Sequence, residues 1–360
     1  MIKGLHVNWY YSFFIFVQFV LVYLILYSVT MKKIITILIF LSLKITASWT
    51  QTQDDVTSIS QKLTANLTDD SLKVAAIYFW ITANIQYDHR FRNRVEGDTM
   101  LTQEPYNVVK TRKAVCIGYA KLFKALCKMS NIKAYVVEGI VKDKNNIPER
   151  EGHAWNVVQL NEKYYLLDAT WGADNAEVAQ KYFLGGPSVF LQNHLPHDPI
   201  WQLLTQPTGY QCFTHNSDCD NTVENIAFQD TIKHWEALDS LGKVFNVANR
   251  ILNYNPEDIE AMKALAGFYS AKAVAGITQY YKLRADIKEK KRKPTQRNQV
   301  LKLLDDTKAQ AEMAQVYYER IATLGTKYRY TDAHLNLDLI RENLLNLEKE
   351  RQFVVSYFKE

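Results

Sequence analysis

Cysteine is scarce in this chain of 360 residues: there are 4, too few to hold a protein of this length together as a disulfide scaffold. Strong charge of either sign is missing too. The 43 basic and 38 acidic residues leave a net charge of +5 that is spread along the chain. Its one dense basic run, "KEKKRK" at 288–293, precedes Pro294 and reads as a solvated connection between helices, so no nucleic-acid partner is expected. Beyond residue 50 no segment is apolar enough to span a membrane. "ALAGFY" at 264–269 resembles a tetratricopeptide helix but has no second copy at the period of roughly 34 residues that a repeat array needs. What is present is ordinary globular material: 48% hydrophobic and 22% charged residues suffice for two domains, each with its own core.

The first 50 residues stand apart. "WYYSFFIFVQFVLVYLILYSVT", residues 9–30, carries no charge and is long enough to cross a bilayer as a helix. From Met31 the sequence "MKKIITILIFLSLKITASWTQ" offers a methionine, two lysines, an apolar stretch and small residues at Ala47 and Ser48, the layout of a secretory signal peptide. We read Met31 as the start of translation and the first 30 residues as an upstream extension of the reading frame; the alternative is an N-terminal membrane anchor. Under both readings the rest is exported to the periplasm or cell envelope, touching a membrane only through an uncleaved N-terminus. In that oxidising setting Cys212 and Cys219, seven apart in the turn-rich "CFTHNSDC", are expected to close a small disulfide.

Three regions follow: the N-terminal segment over 1–50, an α+β domain over 51–215 and a helical domain over 220–360. In the second, Val56–Leu67 and Ser71–Gln86 read as helices, the latter capped by Asp70, and Tyr87–Lys113 reads as a loop. Three β-rich stretches come next, "AYVVEGIV", "HAWNVVQL" and "KYYLLDAT", the last two joined at Asn161 and Glu162. In the third region Ile232–Tyr254 and Ile259–Leu283 read as helices separated by "NPED", with Asn255 as cap and Pro256 in the first helical position.

Between the helices and the strands lies "TRKAVCIGYAKLF", 111–123. Cys116, Ala120, Phe123 and Cys127 recur at helical spacing as one apolar stripe, with Lys121, Lys124 and Lys128 outside it. Cys116 is thus the first stripe residue, where backbone N–H groups are unpaired and the macrodipole is positive; Arg112 and Lys113 add charge of the same sign. That setting favours a nucleophilic thiolate. The plain alternative is packing, since free cysteine is among the most buried residue types.

A nucleophile needs a base and an orienting group. If Asn161 and Glu162 form a two-residue turn, Leu160 pairs with Lys163, His153 faces Thr170, and Trp155 faces Asp168. The period of two then puts His153, Trp155, Asp168 and Thr170 on one face, with His153 and Asp168 as diagonal neighbours. Ala154, Val158, Leu160 and Leu167 occupy the other, so polar chemistry is expected opposite the most apolar residues.

"AVCIGYAKLFKALCKMSNIKAYVVEG", "GHAWNVVQLNEKYYLLDATWG" and the upstream "YFWITANIQYD" resemble the transglutaminase-like superfamily, over roughly residues 70–205. "KYFLGGPSVFLQNHLPHDPIWQLL" is similar to the tail of its exported bacterial members. The resemblance implies a papain-like core with Cys116 as nucleophile, His153 as base and Asp168 as orienting acid. Trp155, matching a usual family aromatic, is expected to shield the pair from water. The implied chemistry is acyl transfer from a peptide or isopeptide amide through a thioester, hydrolysis favoured over cross-linking. The backbone N–H of Cys116 is one natural oxyanion donor; Gln86 and Trp80 are candidates for the second.

No cofactor and no metal is expected. His194 and His197 in "HLPHDP" have a spacing that a metal uses, but a Pro intervenes and no third ligand is clustered nearby in sequence, which favours structural roles. His89 reads as a surface-loop residue; Asp174 and Glu151 are substitutes for Asp168 that fit the strand pairing less well. Two competing functions remain: an idle transglutaminase-like domain that binds peptides or envelope polymers, and a helical domain that docks an envelope partner.

Overall fold

Leu160 pairs with Lys163, Gln159 with Tyr164, Val158 with Tyr165, Val157 with Leu166 and Asn156 with Leu167, the register expected from a reversal at Asn161 and Glu162. Both turn residues have positive φ, 47° and 63°, the backbone that lets a two-residue loop follow the right-handed twist of its strands. This computed structural model describes residues 55–91, 99–149, 152–215, 225–288, 297–328 and 333–358. The N-terminal segment, Glu151, Cys219 and most of the 288–293 run lie outside the described residues.

The described residues begin with helix α1 (55–64) and α2 (Asp70–Asn84). The cap of α2 is Asp69 rather than Asp70: Asp69 has extended backbone and accepts from the Leu72 N–H at 3.0 Å, while Asp70 is already helical. The stretch expected to be a loop holds strand β1 (Gln86–Tyr87), helix α3 (Pro105–Thr111) and strand β2 (Lys113–Ala114). β1 and β2 pair in parallel. Strands of two residues leave no periodicity to read, which is why the sequence conceals them.

Helix α4 (Cys116–Met129) is followed by β3 (Ala134–Val141), β4 (His153–Leu160), β5 (Lys163–Leu167), α5 (Ala169–Gly172), α6 (Ala176–Lys181) and β6 (His194–Pro196). The larger sheet is antiparallel in the order β5-β4-β3-β6. Against one face pack Val74, Ile77, Ile81, Leu122, Phe123 and Leu126 from α2 and α4. Asn156 ties the layers together by donating to the Ala120 and Tyr135 carbonyls at 3.0 Å each.

The alternation along β4 is as expected, but its second face is not polar. Trp155, Val157 and Leu166 are covered there by Ile200, Trp201 and Ile232, so every β4 residue except Gln159 is buried. The cover comes from a 3₁₀ turn, Pro199–Gln202, and from α7 (Phe228–Ala237), both remote in sequence.

The expected helix over 232–254 is divided. α7 ends at Ala237 and α8 (Ser240–Tyr254) starts anew, with the Asp239 carboxylate accepting from the Gly242 N–H at 2.7 Å. Asn255 closes α8 instead of opening the next helix, and Asp258 accepts from the Ala261 N–H at the start of α9 (Ile259–Lys288). α10 (Arg297–Tyr328) and α11 (Ala333–Tyr357) complete the helical region, with a core that includes Tyr280, Val300, Leu304 and Val354. The architecture is α+β, with helices packed on an antiparallel sheet, followed by an all-α region. Among the described residues no helix is long and apolar enough to cross a membrane.

Candidate active site

Cys116 is the first residue of α4 and is half-buried. Val115 before it has extended backbone and makes no side-chain cap; its own N–H donates to the Gln103 side-chain oxygen at 2.9 Å. Gln103 is buried and was not distinguished by sequence pattern. Gly118, one turn in, leaves room for it: a Cβ there would meet Gln103 Oε1 and would lie 2.8 Å from the Ala114 Cβ. Small size at 118 therefore makes room for the Gln103 side chain that holds the Val115 N–H. Cys127, eleven residues on, is fully buried, and burial pushes its thiol far above the ordinary range.

His153 opens β4, but the expected pairs Trp155–Asp168 and His153–Thr170 do not form. β5 ends at Leu167, Thr170 lies in α5, and Asp168 reaches His153 as the cap of that helix, because its carboxylate takes the helix N–H groups and ends the strand. The His153 Nε2–H donates to Asp168 Oδ2 at 2.7 Å. Asp168 is completely buried, and its other oxygen accepts from the Thr170 and Trp171 N–H groups at 2.8 and 3.1 Å. Its backbone is clamped as well, because the buried Tyr78 hydroxyl donates to the Asp168 carbonyl at 3.0 Å.

Electrostatics follow from this packing. Burial disfavours charge on His153, but the charge and hydrogen bond of Asp168, joined by a side-chain hydrogen bond with Cys116 and by its charge, push the imidazole up to about 10. Burial would raise Asp168; His153, and secondarily His194, instead hold its carboxyl well below the usual carboxylate range.

His194 is the partner whose role here the sequence did not reveal. It is fully buried on β6, and its Nε2 lies 3.1 Å from Asp168 Oδ2. Burial keeps its imidazole below the ordinary histidine value, against the pull of Asp168. The donor atoms of His153, Asp168 and His194 lie within 4.8 Å of one another, a grouping that a cation also uses. At 2.7 and 3.1 Å, however, they engage one another as hydrogen-bond partners. His197 is apart, facing Asp258 at 3.5 Å.

Trp155 is buried, with its ring stacked 6.0 Å from that of His153. Gln86 is exposed on β1, paired with Lys113 in the strand that leads into Cys116. Trp80 is partly buried against the first core, and the Arg112 guanidinium lies over its ring at 4.8 Å. Cys212 is disulfide-bonded and sits in a short helix, Tyr210–His215, rather than an open loop. Its expected partner Cys219 lies outside the described residues.

Residues 57–169 match the family model of the transglutaminase-like superfamily. Kyphoscoliosis peptidase of Homo sapiens is 28% identical over 191 residues, covering 49% of this chain and 28% of that protein. Hillarin of Drosophila melanogaster is 27% identical over 180 residues, 43% of this chain and 21% of that one. This chain thus spans less than a third of the length of these curated relatives. Among solved structures, the crystal structure of a TGase gives a TM-score of 0.28 at 22% identity, over 34% of this chain and 32% of that one.

Proposed function

We propose that the transglutaminase-like core of this chain is a thiol enzyme that cleaves or transfers the acyl group of peptide or isopeptide amides, with Cys116 as nucleophile, His153 as base and Asp168 as orienting acid. The observation that carries the reading is the buried 2.7 Å bond from His153 Nε2–H to a carboxylate held by two further backbone donors. It leaves the other ring nitrogen of His153 for the thiol, and Cys116 contributes to the raised basicity of that imidazole. A helix-start sulfur beside a basic, oriented imidazole is the arrangement in which a thiolate–imidazolium pair forms.

In the proposed cycle the Cys116 thiolate attacks the amide carbonyl carbon, and the carbon–oxygen π electrons move to oxygen. The Cys116 backbone N–H and a second donor steady that oxyanion. We take Gln86 as the second donor, since β1 lies beside the strand entering Cys116. As the tetrahedral centre collapses, His153 gives its proton to the departing amine and a thioester remains. Water, or a second amine, then loses a proton to His153 and displaces the sulfur, restoring the thiol. Hydrolysis is the favoured outcome, and a relative bearing the name peptidase supports it. Export to an oxidising compartment is part of the proposal, supported by the disulfide at Cys212.

Iodoacetamide tests the reading. Cys116 of the folded protein should alkylate selectively near neutral pH, and His153→Ala should abolish the selectivity; a peptide library should then yield a thioester adduct at Cys116. Equal, slow labelling of wild type and variant would leave the alternative, a domain that binds peptides or envelope polymers without turning them over. Mass spectrometry of the mature chain tests export, with an N-terminus near Trp49 expected.

A further inference from the structure

The hydrogen bonds around His194 do not close in the simplest assignment. Its Nε2 is 3.1 Å from the Asp168 carboxylate, and its Nδ1 is 2.7 Å from the Asn193 side-chain amide, with the amide oxygen facing the ring. Both ring nitrogens would then point at acceptors, which requires an imidazolium. A second cation would stand fully buried beside His153, the two ring centroids 5.7 Å apart, with Asp168, among the described residues, the one carboxylate bonded to both. Turning the Asn193 amide over removes the conflict, because its two ends are nearly isosteric and the network decides which faces where. The amide N–H then donates to His194 Nδ1, and the Asn193 oxygen accepts from the Tyr182 hydroxyl, whose oxygen is 2.7 Å from the amide's other end.

We propose that His194 is a positioning residue of the thiol centre: a neutral imidazole, fixed by Asn193 and Tyr182 as its Nε2–H tautomer, that donates to Asp168 Oδ2 and so shares the carboxylate with His153. The inference rests on the thiol-enzyme reading for its consequence, but its geometry stands by itself.

The fold is built to deliver that ring. β3 lies between β4 and β6, pairing Gly139 with both His153 and Pro196 and Val141 with His194. The bare Cα at 139 permits this closeness: a Cβ there would meet the Leu195 carbonyl oxygen and would lie 2.6 Å from the Trp155 ring. Trp155, Trp171, Tyr182 and Phe190 wall the imidazole at centroid distances of 5.0, 4.4, 5.3 and 5.0 Å, so its polar edge has few directions to take. Among the described residues, the ionisable groups that face it are Asp168, His153, Lys181 and Tyr182.

Sharing has a chemical effect. With His194, Asp168 accepts four hydrogen bonds, two per oxygen, and so stays ionised and cannot rotate. The bond from His194 also draws negative charge away from His153, which therefore releases its proton to a leaving amine more readily than it would beside an undivided carboxylate. A purely structural histidine would hold the fold together without moving this balance.

Two measurements test the proposal on the full chain. Nitrogen-15 NMR of labelled histidines should show His194 neutral, protonated on Nε2, near neutral pH; an imidazolium, or the Nδ1–H tautomer, would overturn it. Alkylation of Cys116 is then followed against pH in H194Q, whose amide can still donate to Asp168, and in H194F, which cannot. The upper pH break should rise by about one unit, tenfold in the His153 proton equilibrium, in H194F and stay near wild type in H194Q. Folded variants with identical breaks would refute the role. If wild-type Cys116 shows no selective alkylation, the enzyme reading fails by itself, and the tautomer measurement alone decides the hydrogen-bond assignment.

Discussion

Arg250 grips Asp198 with two parallel hydrogen bonds, Nε to Oδ1 at 2.7 Å and Nη2 to Oδ2 at 2.6 Å, and both side chains are nearly out of water. The pair joins α8 of the helical region to the residues immediately after β6, where Asp198 also accepts from the Ile200 N–H. The strand that carries His194 is therefore keyed to the helices.

Arg250→Ala leaves the Asp198 carboxylate buried without its cation. The loss should be about 3–5 kcal/mol, read from the urea midpoint. Arg250→Lys should recover only part of it, because a point charge cannot reproduce the two-pronged fork. An unchanged midpoint in the alanine variant would mean that the helical region does not brace this segment.

The pH dependence has a definite sign. His153 binds its proton more tightly folded, at about 10, than the ordinary value of 6.5. The stability this supplies is complete below about 6.5 and is lost as pH rises toward 10. Alkylation of Cys116 should show its upper break in the same region, and His153→Ala should remove that break. Asp168 works in the opposite direction: its contribution is complete above the ordinary carboxylate value and is lost progressively as pH falls from there toward its depressed folded value.

Gly118→Ala should perturb the entry to α4. The added methyl meets Gln103 and Ala114, so the bond that holds the Val115 N–H must shift. Overpacking of this kind costs about 1–3 kcal/mol, measurable by thermal or chemical unfolding, and the alkylation rate at Cys116 should fall with it.

If Gln86 is the second oxyanion donor, Gln86→Ala should lower kcat on a peptide substrate by about 10² or more. Its exposed position on β1 predicts a stability change within about 0.5 kcal/mol. Trp80→Phe should leave kcat near wild type; the reverse pattern would exchange their roles.

What could be read from sequence was local. The hairpin register from Leu160–Lys163 to Asn156–Leu167 and the cysteine at a helix start follow from periods of two and 3.6 and one short turn, whereas Asp168 meets His153 from the cap of α5 and not from the strand position that the register extrapolates. What could not be read depends on distant chain. His194 reaches Asp168 only because β6 pairs with β3 across more than fifty residues of sequence. The cover that turns a supposedly polar sheet face into core comes from Trp201 and Ile232. Gln103 acts through one hydrogen bond from a segment without apolar rhythm. Asp69 and Asp70 are both good caps, and only the backbone angles distinguish them.

The two free thiols of α4 differ sharply in setting, one half-buried at the helix start and one sealed in the core. A single labelling reaction therefore contains its own reference. Modification at 127 can rise only when the helix leaves the sheet, so the ratio of label at 116 to label at 127 reports, molecule by molecule, on the intact population and separates a variant with impaired chemistry from one that has merely come apart.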